Sequence, residues 1–114
     1  MTTIYHNPRC SKSRATLEIL VNNGVNPEII LYLENSPDID TLRRITVMLD
    51  CSIKEIMRTG ESEYKDLALN NPDLSEEQLL ATVANHPKLL ERPIVVNNGK
   101  AAIGRPPENV LEII

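Results

Sequence analysis

Apolar and polar positions change their spacing several times along this chain, and each change marks an element. Residues 2–5 are rich in β-formers and run into His6-Asn7-Pro8-Arg9-Cys10, a turn-like stretch. Thr16, Leu17, Leu20 and Val21 then recur at helical spacing until Gly24, so a helix is expected over 12–23 with glycine as its stop. A short strand over 29–31 completes a βαβ unit, whose crossover is right-handed when its two strands are parallel. Ser36-Pro37 reads as the N-cap and first helical residue of a second helix carrying Leu42, Ile45 and Leu49. Ser52 with Glu55 and Ser75 with Gln78 each have the spacing of a capping box. The first opens a short helix that stops near Gly60 with Arg58 at its end, and the second a helix reaching about Asn85.

Past Pro87 and Pro93 the period shortens to that of strands. Ile94-Val95-Val96 and Ala101-Ala102-Ile103 flank Asn98-Gly99, a dipeptide that favours the type I′ hairpin because both turn positions need positive φ. Arg105-Pro106-Pro107 opens a terminal helix whose Val110, Leu111 and Ile114 can pack inward. The order βαβ, helical insertion, ββα is that of an α/β, thioredoxin-like fold. It predicts a mixed four-stranded sheet with helices on both faces and a helical insertion between the two parts. A length of 114 residues predicts a single domain over 1–114.

Composition narrows the function. The chain has no Phe or Trp and three Tyr, so its core must come from Leu, Ile, Val, Met and Ala, and no aromatic platform exists for stacking bases. A formal charge of −4 argues against nonspecific binding to nucleic acid or a membrane surface, which need a field of positive charge. Any anion site must then be local. Apolar runs are far shorter than the roughly 20 residues that cross a bilayer, and Met1-Thr2-Thr3-Ile4-Tyr5 lacks the basic and apolar regions of a secretory signal. A cytoplasmic location is therefore expected, and a monomer. There the default for Cys10 and Cys51 is two free thiols.

Of the two, Cys10 has the surroundings of a reactive thiol. A helix N-terminus and nearby cations favour the thiolate, which is the nucleophile. Cys10 stands where the first helix begins, and Arg9, Lys12 and Arg14 lie within four residues of it in an otherwise acidic chain. The plainer alternative is a small buried cysteine beside solvated charges. Cys51, between Asp50 and Ser52, has no basic cluster and reads as apolar filler. Ser13 occupies the third position after Cys10, so the Cys-x-x-Cys dithiol is absent and an outside thiol must close any redox cycle. The Cys-x5-Arg loop of low-molecular-weight tyrosine phosphatases also fails, because position 16 is threonine. His6, Cys10, Cys51 and His86 are scattered, so no zinc spacing is present and no metal is expected. Arg58, Arg92 and Arg105 each stand at the boundary of an element. Such positions suit a convergent oxyanion site, as they also suit solvated surface arginines.

His6-Asn7-Pro8-Arg9-Cys10, Arg58-Thr59-Gly60, Arg92-Pro93-Ile94-Val95-Val96 and Gly104-Arg105-Pro106 together resemble the glutaredoxin-coupled arsenate reductase family. Ile29-Ile30-Leu31-Tyr32-Leu33-Glu34 resembles that family's second strand and its exit, so the likeness spans essentially the whole chain. The resemblance implies that Cys10 attacks arsenate, that glutathione then joins in a mixed adduct, and that glutaredoxin completes reduction to arsenite. No bound cofactor is implied; glutathione and glutaredoxin are the reductants. Arg58, Arg92 and Arg105 match the family's anion-handling arginines. His6 matches a histidine that tunes the thiol, though a strand-end histidine satisfying a backbone group is the plainer alternative. Ser13 and Arg14 match the loop that positions thiolate and oxyanion, and Pro93 the proline beside the site, commonly cis in this fold.

Two departures stand out. Ser11-Lys12 replaces the Gly-Thr pair of well-known members, and the chain ends soon after its last helix begins, without their C-terminal extension. Two other functions are compatible with the same frame. One is an Spx-like regulator that binds RNA polymerase and senses oxidation, many of which carry the Cys-x-x-Cys switch missing here. The other is a general glutathione-dependent thiol reductase.

Overall fold

The computed structural model describes all residues, Met1–Ile114. They form two compact units, one of Met1–Asn35 with Arg92–Ile114 and one of Ser36–Glu91.

In the first unit, strands β1 (Thr2–His6), β2 (Glu28–Leu31), β3 (Ile94–Asn97) and β4 (Lys100–Ile103) form one sheet in the order β2-β1-β3-β4. β1 pairs in parallel with β2 and antiparallel with β3, and β3 pairs antiparallel with β4, so the sheet is mixed as expected. Helix α1 (Ser11–Asn22) makes the crossover between β1 and β2. Asn98 and Gly99 have φ of 51° and 80°, the two positive values that the Asn-Gly signal demands. Side chains alternate across a strand, so Ile4 of β1 and its partner Val95 of β3 share a face. There they join Leu20 of α1 and Val110 in a fully buried cluster, with Leu17, Val25, Ala102 and Ile113 packed against it. Val110 belongs to a terminal 3₁₀ helix, Pro107–Glu112, tighter than the α-helix expected there.

The face that α1 buries is the expected one at Thr16, Leu17 and Leu20 and departs from it only at Val21. Ser13, Thr16 and Leu20 are buried, a stripe at i, i+3 and i+7, whereas Val21 is 57% exposed. The fully buried Ser13 extends the stripe at the end away from Val21, which apolar periodicity cannot register because the residue is polar.

The second unit contains α2 (Ile39–Leu49), α3 (Ser62–Asp66), α4 (Glu76–Asn85) and 3₁₀ helices at Ile53–Ile56 and Pro87–Leu89. α4 packs on α2 and on both 3₁₀ helices, and Leu42, Ile45, Ile53, Ile56, Leu80, Val83, Leu89 and Leu90 are buried. Both capping boxes form as their spacing predicts, at Ser52/Glu55 and Ser75/Gln78. The start of α2 is different. Asp38 is its N-cap and accepts from the Thr41 N–H at 2.8 Å, while the Ser36 hydroxyl donates to the Ala84 carbonyl at 2.6 Å. Serine was drawn away by a tertiary acceptor, and the carboxylate two residues on took over the cap. α3 was not anticipated from the sequence; it is five residues long and buries none of them. No helix is long and apolar enough to cross a membrane.

Candidate active site

Cys10 is the N-cap of α1, half-buried, with extended backbone. The first helical hydrogen bond runs from the Arg14 N–H to the Cys10 carbonyl at 3.0 Å. The N–H groups of Ser11, Lys12 and Ser13 therefore precede any i to i+4 acceptor, and a helix start of this kind offers donors to an anion.

The loop before Cys10 is shaped by Asn7, whose role the sequence reading missed. Its carbonyl accepts the Cys10 N–H at 3.0 Å, its side-chain oxygen accepts the Arg9 N–H at 3.0 Å, and its own N–H donates to Ser13 Oγ at 3.0 Å. The available signal was Asn-Pro, a pair that initiates turns through side-chain to backbone bonds. Arg14 closes the loop from the other side, its Nη1 donating to the Pro8 carbonyl at 2.9 Å.

His6 and Ser13 form a buried pair, with Nδ1 and Oγ 2.7 Å apart. Ser13 Oγ already accepts from Asn7, and its hydroxyl proton needs an acceptor because the side chain is fully buried. Donation to an unprotonated His6 Nδ1 satisfies both groups and fixes the neutral ring with its proton on Nε2. Burial pushes the His6 pKa below its ordinary value, and the charge on Arg14 pushes it further in the same direction. The structure thus engages Ser13 with the strand end and the loop.

Arg92, Pro93 and Arg105 reach this region through the β3-β4 hairpin. Its register sets Ile94 opposite Ile103, so the residues just outside, 92–93 and 104–105, are neighbours. The Gly104 N–H donates to the Pro93 carbonyl at 3.0 Å. Arg105 Nη1 donates to the Arg92 carbonyl at 3.0 Å and stands 4.0 Å from Cys10 Sγ. Arg92-Pro93 is cis; Arg105-Pro106 is also cis, which the sequence reading did not foresee.

A second residue missed by that reading is Gly104. A Cβ there would overlap Thr16 Oγ1 and stand 2.8 Å from Pro93 Cγ, so only glycine lets the backbone leading to Arg105 lie this close to α1. Thr16 is itself held by a bond from Oγ1 to the Lys12 carbonyl at 2.7 Å. One unit thus brings together Cys10, His6, Ser13, Arg14 and Arg105, with Arg92 and Pro93 joined to them through their backbone carbonyls. Lys12 is exposed at the start of α1.

Arg58 belongs to the second unit. It follows the isolated bridge between Met57 and Leu90, and its N–H donates to the Leu89 carbonyl at 2.7 Å. Nε and Nη1 each pair with a carboxylate at 3.2 Å, Glu61 and Glu91 respectively. Cys51 lies in the same unit, where burial and the carboxylates of Glu55, Glu76 and Asp50 push its thiol pKa up. No three or more His, Cys, Asp or Glu side chains gather as a metal ion would require.

Comparison with known proteins extends this picture. Residues 5–113 match the ArsC family. The chain is 48% identical to the arsenate reductase of Neisseria meningitidis serogroup A over 112 residues, covering 97% of this chain and 96% of that one. It is 58% identical to the uncharacterized protein YfgD of Escherichia coli over 112 residues, covering 97% and 94%. The solved structure of the arsenate reductase from Vibrio cholerae superposes with a TM-score of 0.97 at 52% identity, covering 99% of this chain and 97% of that one.

Proposed function

This chain belongs to the ArsC family, and from that premise we propose that it is an arsenate reductase of the cytoplasm, acting as a monomer with Cys10 as nucleophile and with glutathione and glutaredoxin as reductants. The observation that carries the reading is the pairing of Cys10 Sγ, at the start of α1, with Arg105 Nη1 at 4.0 Å. A guanidinium there sets a fixed positive charge beside the nucleophile, where a tetrahedral oxyanion under attack would lie. Relatives named arsenate reductase at 48% and 49% identity support the substrate.

The chemistry runs as follows. The Cys10 thiolate attacks arsenic(V); an S–As bond forms, and the oxygen of one As–OH group leaves as water after taking up a proton from solvent. The thiol of glutathione displaces a second oxygen, again as water. A glutaredoxin thiolate then attacks the glutathione sulfur. The new S–S bond takes both sulfurs out as a disulfide, the electron pair of the broken S–As bond stays on arsenic, and arsenic(V) becomes arsenic(III). Hydrolysis of the remaining S–As bond frees arsenite and returns Cys10.

Charge accumulates on the arsenate oxygens at each displacement. The N–H groups of Ser11 to Ser13 and the guanidinium of Arg105 are the donors that answer it, and the guanidinium of Arg92 joins them by the family resemblance. Arg58 joins this set by the family resemblance. His6, Ser13 and Arg14 hold the loop that presents the sulfur.

A coupled assay of the purified chain with arsenate, glutathione and glutaredoxin tests the reading, with arsenite formation expected. Turnover of a small mixed disulfide with none of arsenate would replace it by a general thiol reductase. Capture of RNA polymerase that is insensitive to Cys10→Ser, again without arsenate turnover, would replace it by a regulator.

A further inference from the structure

On the proposed function the Cys10 site takes an oxyanion and supplies one thiol, yet the reaction consumes others. In the unit that holds Cys10 there is no second cysteine, since Cys51 lies in Ser36–Glu91. An incoming thiol therefore needs its own surface beside Cys10.

Beside the nucleophile's loop is a cleft of about 200 Å³. Asn7, Pro8 and Arg9 form one wall; Leu31, Leu33 and Glu34, from the end of β2 and the turn after it, form the other. We propose that this cleft binds the γ-glutamyl end of glutathione and so delivers the cysteinyl sulfur to Cys10. The inference rests on the function proposed above for the identity of the ligand.

Three observations argue for it. The first is charge. The cleft carries one guanidinium, Arg9, and one carboxylate, Glu34, and neither side chain enters a salt bridge within the protein. A γ-glutamyl group ends in an α-amino acid zwitterion, whose ammonium suits Glu34 and whose carboxylate suits Arg9. The second is the apolar lining of Pro8, Leu31 and Leu33, with Leu33 left 42% exposed, against which the methylenes of the γ-glutamyl chain would lie. Glu34 is carried there by a turn, its N–H and that of Asn35 both donating to the Leu31 carbonyl at 2.9 Å.

The third is size and place. A cleft of about 200 Å³ holds roughly seven waters' worth of volume, below the range that encloses a whole drug-sized ligand. It takes one end of the tripeptide and leaves the rest outside. Arg9, one residue from Cys10, sets the direction in which that rest must extend. Asn7, whose carbonyl holds the Cys10 N–H, lies on the same wall.

The test uses Glu34, which is exposed and lies outside the thiol and arginine set. Glu34→Gln and Glu34→Lys should raise the KM for glutathione, the second by roughly three- to tenfold, the reach of one charge-assisted contact at a partly exposed rim. The KM for arsenate and the rate of Cys10 alkylation should not move. Cysteinylglycine, which lacks the γ-glutamyl zwitterion, should be insensitive to the same substitutions. In parallel, S-methylglutathione, which cannot form the adduct, should shift the amide resonances of Leu31, Leu33 and Glu34 in the parent and not in Glu34→Lys.

An unchanged KM for glutathione in Glu34→Lys, in a parent that reduces arsenate, overturns the inference and leaves the proposed function standing. So does a rise confined to the KM for glutaredoxin, which would make the cleft a protein-docking surface. A parent that does not reduce arsenate yet binds S-methylglutathione at these three residues overturns the proposed function and leaves the cleft as a glutathione site. Absence of both turnover and binding removes both.

Discussion

Cys10 and Cys51 are both half-buried thiols at the ends of helical segments, and their surroundings are opposite. Cys10 begins a helix, meets the donor end of its dipole, and has Arg105 Nη1 4.0 Å from its sulfur. Cys51 follows a helix whose C-cap is Asp50, in the left-handed conformation, and its thiol is opposed by burial and three carboxylates. The same side chain thus stands beside helix donors and a guanidinium in one unit and among carboxylates in the other. What differs is which end of a helix and which sign of charge the backbone brings to it. Cysteine content alone would count the two as equal.

The largest effect should come from exchanging the sulfurs for oxygen. Cys10→Ser should lower arsenate turnover by roughly a thousandfold or more, the scale of losing a nucleophile, while Cys51→Ser keeps most of it. Steady-state arsenite production measures both, and comparable losses in the two variants would erase the contrast. Next is Arg105. Replacing it with alanine should cost about ten- to a hundredfold in kcat/KM by removing a donor to the developing charge. Lysine restores the charge without the planar fork, so Arg105→Lys should recover only part. A fall in melting temperature large enough to explain the loss would recast Arg105 as structural.

Glycines sharpen the same comparison through packing. Gly104→Ala should destabilise the fold by about 1–3 kcal/mol, the range for forcing a methyl group into a packed contact, and should slow turnover by displacing Arg105. A Cβ at Gly60 in the other unit would meet nothing within 4 Å, and its φ is not positive, so Gly60→Ala should leave both nearly unchanged. Chemical denaturation with parallel assays separates the two outcomes.

The smallest effect is that of pH on the buried pair beneath Cys10. The folded pKa of His6 lies below its ordinary 6.5, so near and below that pH the unfolded chain binds more protons than the folded one. This contribution to stability is present above 6.5 and is lost as pH falls from there toward the folded value. Melting temperature should therefore drop on mild acidification in the parent, and less in His6→Gln. An equal drop in both would show that His6 is not the group responsible.

Much of the frame was legible because it depends on neighbours in sequence. The Asn98-Gly99 hairpin, both capping boxes, the βαβ opening and the ββα close follow from local backbone preference and short-range patterning. Cys10 at a helix start was legible for the same reason. What failed to show was whatever depended on a distant partner. Ser36 turned its hydroxyl to Ala84 and left the cap to Asp38, Val21 turned outward, and Asn7 became the hub of the loop through Ser13. Gly104 carried no sign of its role, because the atoms that exclude a side chain there belong to Thr16 and Pro93, one of them 88 residues away in sequence.

The chain's own order of residues determined its elements, its α/β class and the thiol most worth attention, since propensity, periodicity and helix ends act over a few residues. Tertiary structure alone decided that Arg105 reaches Cys10 across 95 positions and that Glu34 and Arg9 face one cleft. The physical reason is that sheet register and close packing set distances to within an ångström between residues whose separation along the chain carries no information about their separation in space.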